Sequence, residues 1–105
     1  MVVTEQGASL RWTWNAKKNR DNRRHHHLSF ETAELVFDDP LAASREDPYS
    51  REPRWQTIGR VGPVVLFVVH TWPEPDPETG EEIGRIISAR KATRRERSAY
   101  EEGIF

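Results

Sequence analysis

The stretch that decides the fold is Val64-Val65-Leu66-Phe67-Val68-Val69, the longest apolar run in the 105 residues. The run is too short to cross a membrane, and it is rich in β-branched side chains. Apolar residues occupy every position, so both sides of a strand formed by this run would be apolar. We therefore predict a central β-strand that is buried on both faces.

Further strands are expected on both sides of this run in the sequence. Arg54 to Val61 is one candidate, and it turns into the central strand at Gly62-Pro63. An exposed hairpin loop is expected at Pro73 to Gly84, which is rich in proline, glycine and acidic residues, and a strand should resume from Ile83 to Arg90. The first strand is expected at Ser9 to Trp14, where apolar and polar residues alternate.

Three helices are predicted in the remaining segments. A polar helix is expected from about Ala16 to His26, and Ser29 should cap a short second helix that ends at Phe37. The sequence Thr93-Arg94-Arg95-Glu96 has the pattern of a capping box and should open a final helix through Glu102. The order of strand, two helices, about four strands and a helix predicts an α+β fold, with helices layered on an antiparallel sheet.

Composition excludes several classes of protein. The sequence has no cysteine, which excludes disulfide and zinc–cysteine scaffolds. No segment is apolar enough to cross a bilayer, and Met1 to Ser9 lacks the apolar centre of a signal peptide. We therefore expect one cytoplasmic domain spanning residues 1–105. Hydrophobic residues make up only 35% of the chain, so the core should be thin and a partner should stabilise it.

The net charge of −1 conceals a strong segregation of charge along the chain. The segments Arg11 to Arg24 and Arg85 to Arg97 each contain six basic residues and one acidic residue, whereas Glu31 to Glu82 contains twelve acidic and four basic residues. Two interpretations stay open at this point. The basic blocks form a polyanion site if the fold brings them together, or they are two solvated helix faces.

Several short segments also follow one another in an order and spacing that composition does not explain. They are Trp14-Asn15, Lys18, Asn22, His26, Ser29-Phe30-Glu31-Thr32-Ala33, Val36-Phe37, Asp39-Pro40, Glu52, Arg54, Ile58-Gly59, Arg85-Ile86-Ile87-Ser88-Ala89-Arg90-Lys91-Ala92, Glu96-Arg97 and Tyr100. Together they resemble the BrnT toxin family, whose pattern runs from Trp-Asp through Lys-His-Gly-x-Ser-Phe to Arg-Ile-Ile-Ser-Ala-Arg. The resemblance covers roughly residues 10–100. The sequence departs from the pattern at Asn15, His25 and His27, where the family has Asp, Lys and Gly.

The resemblance implies a fold, an activity and a partner. The implied fold is similar to that of RelE-type toxins, a curved antiparallel sheet with helices packed on one face. The implied activity is that of a toxin of a type II toxin–antitoxin system, an endoribonuclease that cleaves mRNA and inhibits translation. A BrnA-like antitoxin with a DNA-binding domain would silence it in a hetero-oligomer, and operator DNA would be bound only through that complex. His27, at the position of the family glycine, should end the first helix with a positive φ.

The implied chemistry is attack by the 2′-OH of RNA, which needs a base, a cation at the phosphate and an acid. The candidate catalytic residues are Glu52, Arg54, Arg90 and His26. Glu52 and Arg54 would point to one side of a shared strand, with a surface ion pair as the alternative. A regular strand would place Arg85 and Arg90 on opposite faces, so both reach one cleft only if the strand ends or twists before Arg90. Arg90 ranks above Arg85, because it precedes the helix cap and is free to do this. His26 matches the family histidine, and its alternative role is that of an ordinary helix-end residue.

The remaining candidates are expected to bind RNA, and they are Lys18, Asn22, Arg23, Arg24 and Arg85. Arg85 has an alternative role as a structural or partner-facing arginine. Tyr100 is expected to anchor the last helix by packing. The three consecutive histidines from His25 to His27 would fan out around a helix, so we expect no metal site and no cofactor.

Two rival functions stay open at the level of sequence. One is a non-catalytic RNA-binding module that uses the same basic blocks. The other is an inactive toxin homologue whose main role is to bind an antitoxin during operator autoregulation. Purified protein would produce RNA fragments only if the chain is an enzyme.

Overall fold

The computed structural model describes residues 9–105; residues 1–8, which the sequence analysis assigned to the same domain, lie outside this part. The elements are β1 (Leu10–Thr13), α1 (Ala16–His26), α2 (Phe30–Ala33), a 3₁₀ helix (Glu34–Asp38), β2 (Ala43–Glu46), β3 (Trp55–Val61), β4 (Val64–His70), β5 (Glu74–Pro75), β6 (Glu82–Lys91) and α3 (Arg94–Glu102). Within residues 9–105, no helix is long and apolar enough to span a bilayer.

The sheet is organised around the strand that the sequence analysis placed at its centre. The strand order is β1-β6-β4-β3-β2, and β5 pairs with the start of β6. β4 lies between β3 and β6. Its consecutive residues Val65, Leu66, Phe67 and Val68 point alternately to the two faces of the sheet, and all four are buried. The prediction of a central strand buried on both faces is therefore confirmed.

The α+β class is confirmed, but the sheet is mixed rather than wholly antiparallel. β1 runs parallel to β6, with Trp12 opposite Gly84, whereas the other pairings are antiparallel. A parallel pair requires a long connection, and here the chain forms three helices and four strands between β1 and β6. β2 is a short edge strand with exposed polar residues, which gave no apolar signal in the sequence.

The two faces of the sheet carry separate cores. Phe30, Ala33 and Val36, from α2 and the 3₁₀ helix, pack with Leu66 and Val68 on one face. We call this face the helix face. The 3₁₀ helix approaches β3 so closely that a side chain on Gly59 would meet the Val36 backbone oxygen at 3.0 Å.

The opposite face, which we call the arginine face, is covered in part by α3. Tyr100 packs with Ile58 and Val65 and is 9% exposed, so its predicted role as a packing anchor is confirmed. The expectation that all helices share one face is met by α1 and α2, whereas α3 packs on the arginine face. The reason is that side chains alternate along a strand, so Ile58 and Val65 point away from the helix face. On the arginine face, α3 shields these two apolar side chains from water.

One carboxylate ties α3 to the sheet. Asp39 Oδ2 accepts hydrogen bonds from the Tyr100 hydroxyl at 2.5 Å and from the Arg60 backbone N–H at 2.7 Å. Slight burial opposes ionisation of Asp39, but these hydrogen bonds outweigh it and lower its pKa. Burial and the Asp39 carboxylate raise the pKa of Tyr100.

The ends of the helices follow the sequence signals closely. The Asn15 side chain accepts a hydrogen bond from the Lys18 N–H, and α1 ends at His27 with a φ of 55°. His27 therefore adopts the left-handed conformation expected at the family glycine position. Thr93 and Glu96 form the predicted capping box at the start of α3.

Candidate functional site

Two arginines of β6 share the arginine face because the strand contains a β-bulge. β4 pairs Phe67 with Arg90 and Val69 with Ser88, but it then pairs His70 with Ile86, which leaves Ile87 as an extra residue. An extra residue shifts the alternation of side chains by one position. Arg85, Ser88 and Arg90 therefore point to one side of the sheet. The opposite faces expected of a regular strand do not occur, because the strand is irregular before Arg90.

The guanidinium of Arg90 is held by α3. It donates two hydrogen bonds to the Glu96 carboxylate, at 2.8 and 2.9 Å, and lies 4.2 Å from the centroid of the Phe67 ring. These hydrogen bonds to Glu96 raise the pKa of Arg90 and lower the pKa of Glu96, although partial burial of each opposes the shift. The charge of Arg90 is thus compensated, and its contacts join α3 to the sheet.

A cleft of about 520 Å³ lies at the other end of β6. It brings together residues from β1, β3, β5, β6 and the segments next to β3 and β4: Thr13, Glu52, Pro53, Trp55, Thr71, Trp72, Glu74, Ile83, Gly84 and Arg85. The Arg85 guanidinium is exposed and has no ion-pair partner among residues 9–105. Arg90 is roughly 15 Å away along the strand. Glu52 and Arg85 are therefore the two candidate site residues that the fold brings into one cleft.

Glu52 and Arg54 precede β3 instead of sharing a strand. β3 begins at Trp55, and the Arg54 backbone oxygen accepts a hydrogen bond from the Asp47 N–H, one residue after β2, at 2.8 Å. Because residues 51 and 52 form a bend, the expected two-residue alternation does not apply. The alternative ion pair is absent as well, since the ion pairs found within residues 9–105 do not include Glu52 with Arg54.

The cleft also contains an aromatic pair that the sequence analysis did not identify. The rings of Trp55 and Trp72 have centroids 4.5 Å apart with an angle of 47° between their planes. Trp72 is 54% exposed, which is unusual for so large an apolar side chain. The available signal was the position of Trp72 two residues after the central strand, where the chain leaves the sheet.

Asn22 is built into the fold through its side-chain amide. Its side-chain amide donates to the backbone oxygens of Leu28 and Ala89, each at 2.8 Å, and accepts from the Ala89 N–H at 3.2 Å. β1 stops opposite Arg85, so the edge of β6 beyond that point has no strand beside it. The Asn22 amide takes the place of a strand there, which gives it a structural role, and RNA binding by Asn22 stays a prediction.

The other α1 candidates lie away from the cleft. Lys18, His25 and His26 line a shallow groove of about 260 Å³ beside Ile87 of β6, and Asn22 borders the same groove. Arg23 borders a different depression, and Arg24 is exposed. The four expected catalytic residues are therefore not assembled: Glu52 lines the cleft, Arg54 precedes β3, Arg90 is bound to Glu96, and His26 lies in the groove of α1.

A comparison with protein families matches residues 14–96 to the model described as ribonuclease toxin, BrnT, of type II toxin–antitoxin system. The chain belongs to the BrnT family. The match confirms the resemblance found in the sequence and includes the cleft residues Glu52 and Arg85 together with all of α1. Membership of a type II toxin–antitoxin family implies an antitoxin partner. A search of curated proteins found no match to the chain.

This BrnT-family chain also contains a buried histidine that the sequence analysis left aside. His70 is 1% exposed, on the helix face, and its ring meets the stacked rings of Trp12 and Phe37 edge-on. Its Nδ1 donates to the Thr71 backbone oxygen at 2.7 Å, so Nε2 accepts from the Thr57 hydroxyl at 2.6 Å. Burial lowers the pKa of His70, and the hydrogen bond to Thr71 opposes this only in part. His70 is therefore a neutral structural residue.

The titratable residues of the family match do not gather into a metal-binding cluster. Within residues 9–105, no group of three histidine, aspartate or glutamate side chains lies close enough to hold an ion. His25 Nδ1 donates a hydrogen bond to the Asp21 backbone oxygen at 2.9 Å.

Proposed function

We propose that this chain is the endoribonuclease toxin of a type II toxin–antitoxin system, which cleaves mRNA in the cytoplasm and thereby inhibits translation. The observation that carries the proposal is the presence of Glu52 and Arg85 in one cleft of a chain that belongs to a ribonuclease toxin family. A carboxylate and an arginine supply two of the functions that RNA cleavage requires, a base and a cation.

The proposed reaction uses the nucleophile that RNA itself carries. The Glu52 carboxylate takes the proton of a ribose 2′-OH, and the 2′ oxygen forms a bond to the adjacent phosphorus. The bond from phosphorus to the 5′ oxygen breaks, and the leaving oxygen takes a proton from solvent. The products are a 2′,3′-cyclic phosphate and a 5′-OH, and the step needs no metal.

Arginines would stabilise the negative charge that develops during this step. The exposed Arg85 guanidinium matches phosphate oxygens with a planar pair of donors and stays charged at every relevant pH. Arg54 directly precedes Trp55 of the same cleft and would bind the same or the next phosphate. Arg90 is assigned to the contact with Glu96 instead of catalysis, because its charge is already compensated.

The basic residues of α1 would extend the RNA contact beyond the cleft. Lys18, Arg23 and Arg24 are solvent-accessible cations on one helix, and they would bind phosphates without a role in bond breaking. His26 shares the groove of Lys18, so we assign it to RNA binding rather than to proton transfer.

The proposed protein partner is a BrnA-like antitoxin that forms a hetero-oligomer with the toxin. Several large apolar side chains stay exposed among residues 9–105, including Leu41 at 73% and Ile104 at 70%. Their burial by an antitoxin would stabilise both proteins by mass action. The acidic middle of the chain would make the isolated toxin a poor DNA ligand, so operator binding would require the complex.

Single-turnover cleavage of RNA in the presence of a chelator tests the enzymatic proposal. Wild type should yield fragments ending in 2′,3′-cyclic phosphate, and Glu52→Gln, Arg54→Ala and Arg85→Ala should each slow cleavage on the order of 10²-fold. Lys18→Ala is the matched control, since it should weaken RNA binding and flatten its salt dependence while saturating cleavage stays near the wild-type rate. Intact RNA with folded wild type, or wild-type rates in the three cleft variants, would refute the proposal.

A further inference from the structure

The walls of the cleft combine an exposed aromatic pair with a cation. Trp55 and Trp72 lie with their ring centroids 4.5 Å apart, and both border the same cleft as Arg85. More than half of the Trp72 side chain is open to solvent. A large apolar side chain left exposed beside a concave surface indicates a binding site, because the fold gains nothing from leaving it in water.

The charges of the cleft favour a defined orientation of a nucleotide. Arg85 would attract a phosphate, whereas Glu52 and Glu74 lie in the same cleft and would repel one. A phosphate therefore belongs beside Arg85, and an uncharged flat group belongs against the tryptophans. A nucleotide of single-stranded RNA has this arrangement, with a planar base joined to an anionic backbone.

We propose that Trp55 and Trp72 form a stacking subsite for one unpaired RNA base whose adjoining phosphate binds Arg85. This inference rests on the proposed function, because it concerns how the same cleft binds its RNA substrate. Every base offers a flat π face, so the subsite would select for unpaired nucleotides more strongly than for any one base. A base held at this position brings its own backbone into the cleft that contains Glu52.

Binding of an RNA analogue that cannot be cleaved tests the subsite separately from catalysis. The probe is a short 2′-O-methyl oligocytidine, in which the attacking hydroxyl is blocked, titrated into the full-length protein while fluorescence anisotropy is recorded. Trp72→Ala and Trp55→Ala should each weaken binding on the order of tenfold. Trp72→Phe should keep the affinity within about threefold, because phenylalanine also offers a stacking face.

Two controls separate stacking from general attraction to RNA. Tyr49→Ala removes an aromatic side chain that is 91% exposed but lies outside the cleft, and it should leave affinity unchanged. The same oligonucleotide annealed to its complement should bind more weakly than the single strand, because paired bases cannot insert. Melting curves of each variant show whether lost binding reflects unfolding.

The outcomes for the subsite and for the enzyme are distinguishable. Trp72→Ala that is folded and binds the probe like wild type, or wild type that binds the duplex as tightly as the single strand, would overturn the subsite whether or not the protein cleaves RNA. Tryptophan-dependent binding by a wild type that leaves natural RNA intact would support the subsite and refute the nuclease.

Discussion

Arg85 and Arg90 lie on the same face of β6 although five residues separate them, because Ile87 is inserted as a bulge in the pairing with β4. Their environments nevertheless differ. Arg85 borders the open cleft, whereas Arg90 donates two hydrogen bonds to Glu96 and lies over the Phe67 ring. A shared face therefore does not give the two arginines a shared role.

Arg90→Ala should act on stability, whereas Arg85→Ala should act on RNA cleavage. The pair with Glu96 is partly open to water, with the Arg90 side chain 36% exposed, so its loss should reduce the free energy of unfolding by only about 1 kcal/mol. Urea unfolding and single-turnover cleavage of both variants check this, with exposed Arg94→Ala as control. An Arg90→Ala protein as stable as wild type but inactive would restore Arg90 to the catalytic set.

Asn22→Ala should be among the most destabilising substitutions on α1. It removes three hydrogen bonds and leaves the Leu28 oxygen and both backbone groups of Ala89 without their partner. The expected loss in the free energy of unfolding is roughly 3 kcal/mol, against a few tenths for exposed Arg24→Ala. Chemical denaturation measures both, and a near-neutral Asn22→Ala would show that water replaces the amide at the edge of β6.

His27→Gly should stabilise the protein. The left-handed φ of 55° at His27 strains a residue with a side chain but not glycine, so the gain should be about 1 kcal/mol. His26→Gly, one position earlier and inside α1, is the matched control and should lose about the same amount. A higher melting temperature for His27→Gly together with a lower one for His26→Gly would confirm both expectations. A lower melting temperature for His27→Gly would contradict the expectation that glycine relieves strain at this position.

Stability should fall as the pH is lowered through the range in which histidine titrates. Burial holds the pKa of His70 below its ordinary value of 6.5, so the unfolded chain binds the proton first as pH decreases. The contribution of neutral His70 is thus fully present above about pH 6.5 and is lost below it. Free energies of unfolding from about pH 5 to about pH 7.5 should rise with pH in wild type and in exposed His25→Gln. His70→Gln should flatten this slope, and an unchanged slope would refute the assignment.

The sequence by itself determined the elements that depend on local patterns. The apolar run from Val64 to Val69 became the central strand, and Asn15, Ser29 and Thr93 begin helices through hydrogen bonds with residues three positions further along. These features depend on neighbours within a few residues, so their signals are present in any short window of sequence. The family was also evident in the sequence, because its motifs keep their order and spacing.

Only the tertiary structure decided which candidate residues meet. The bulge at Ile87 follows from the pairing of β6 with β4, and the burial of Asn22 follows from the early end of β1. The Trp55–Trp72 contact joins the first residue of β3 to the segment after β4, at the open end of that strand pair. Each of these relationships depends on strand register between distant segments, and a one-residue shift in register reverses the side chain's face without changing the local sequence pattern.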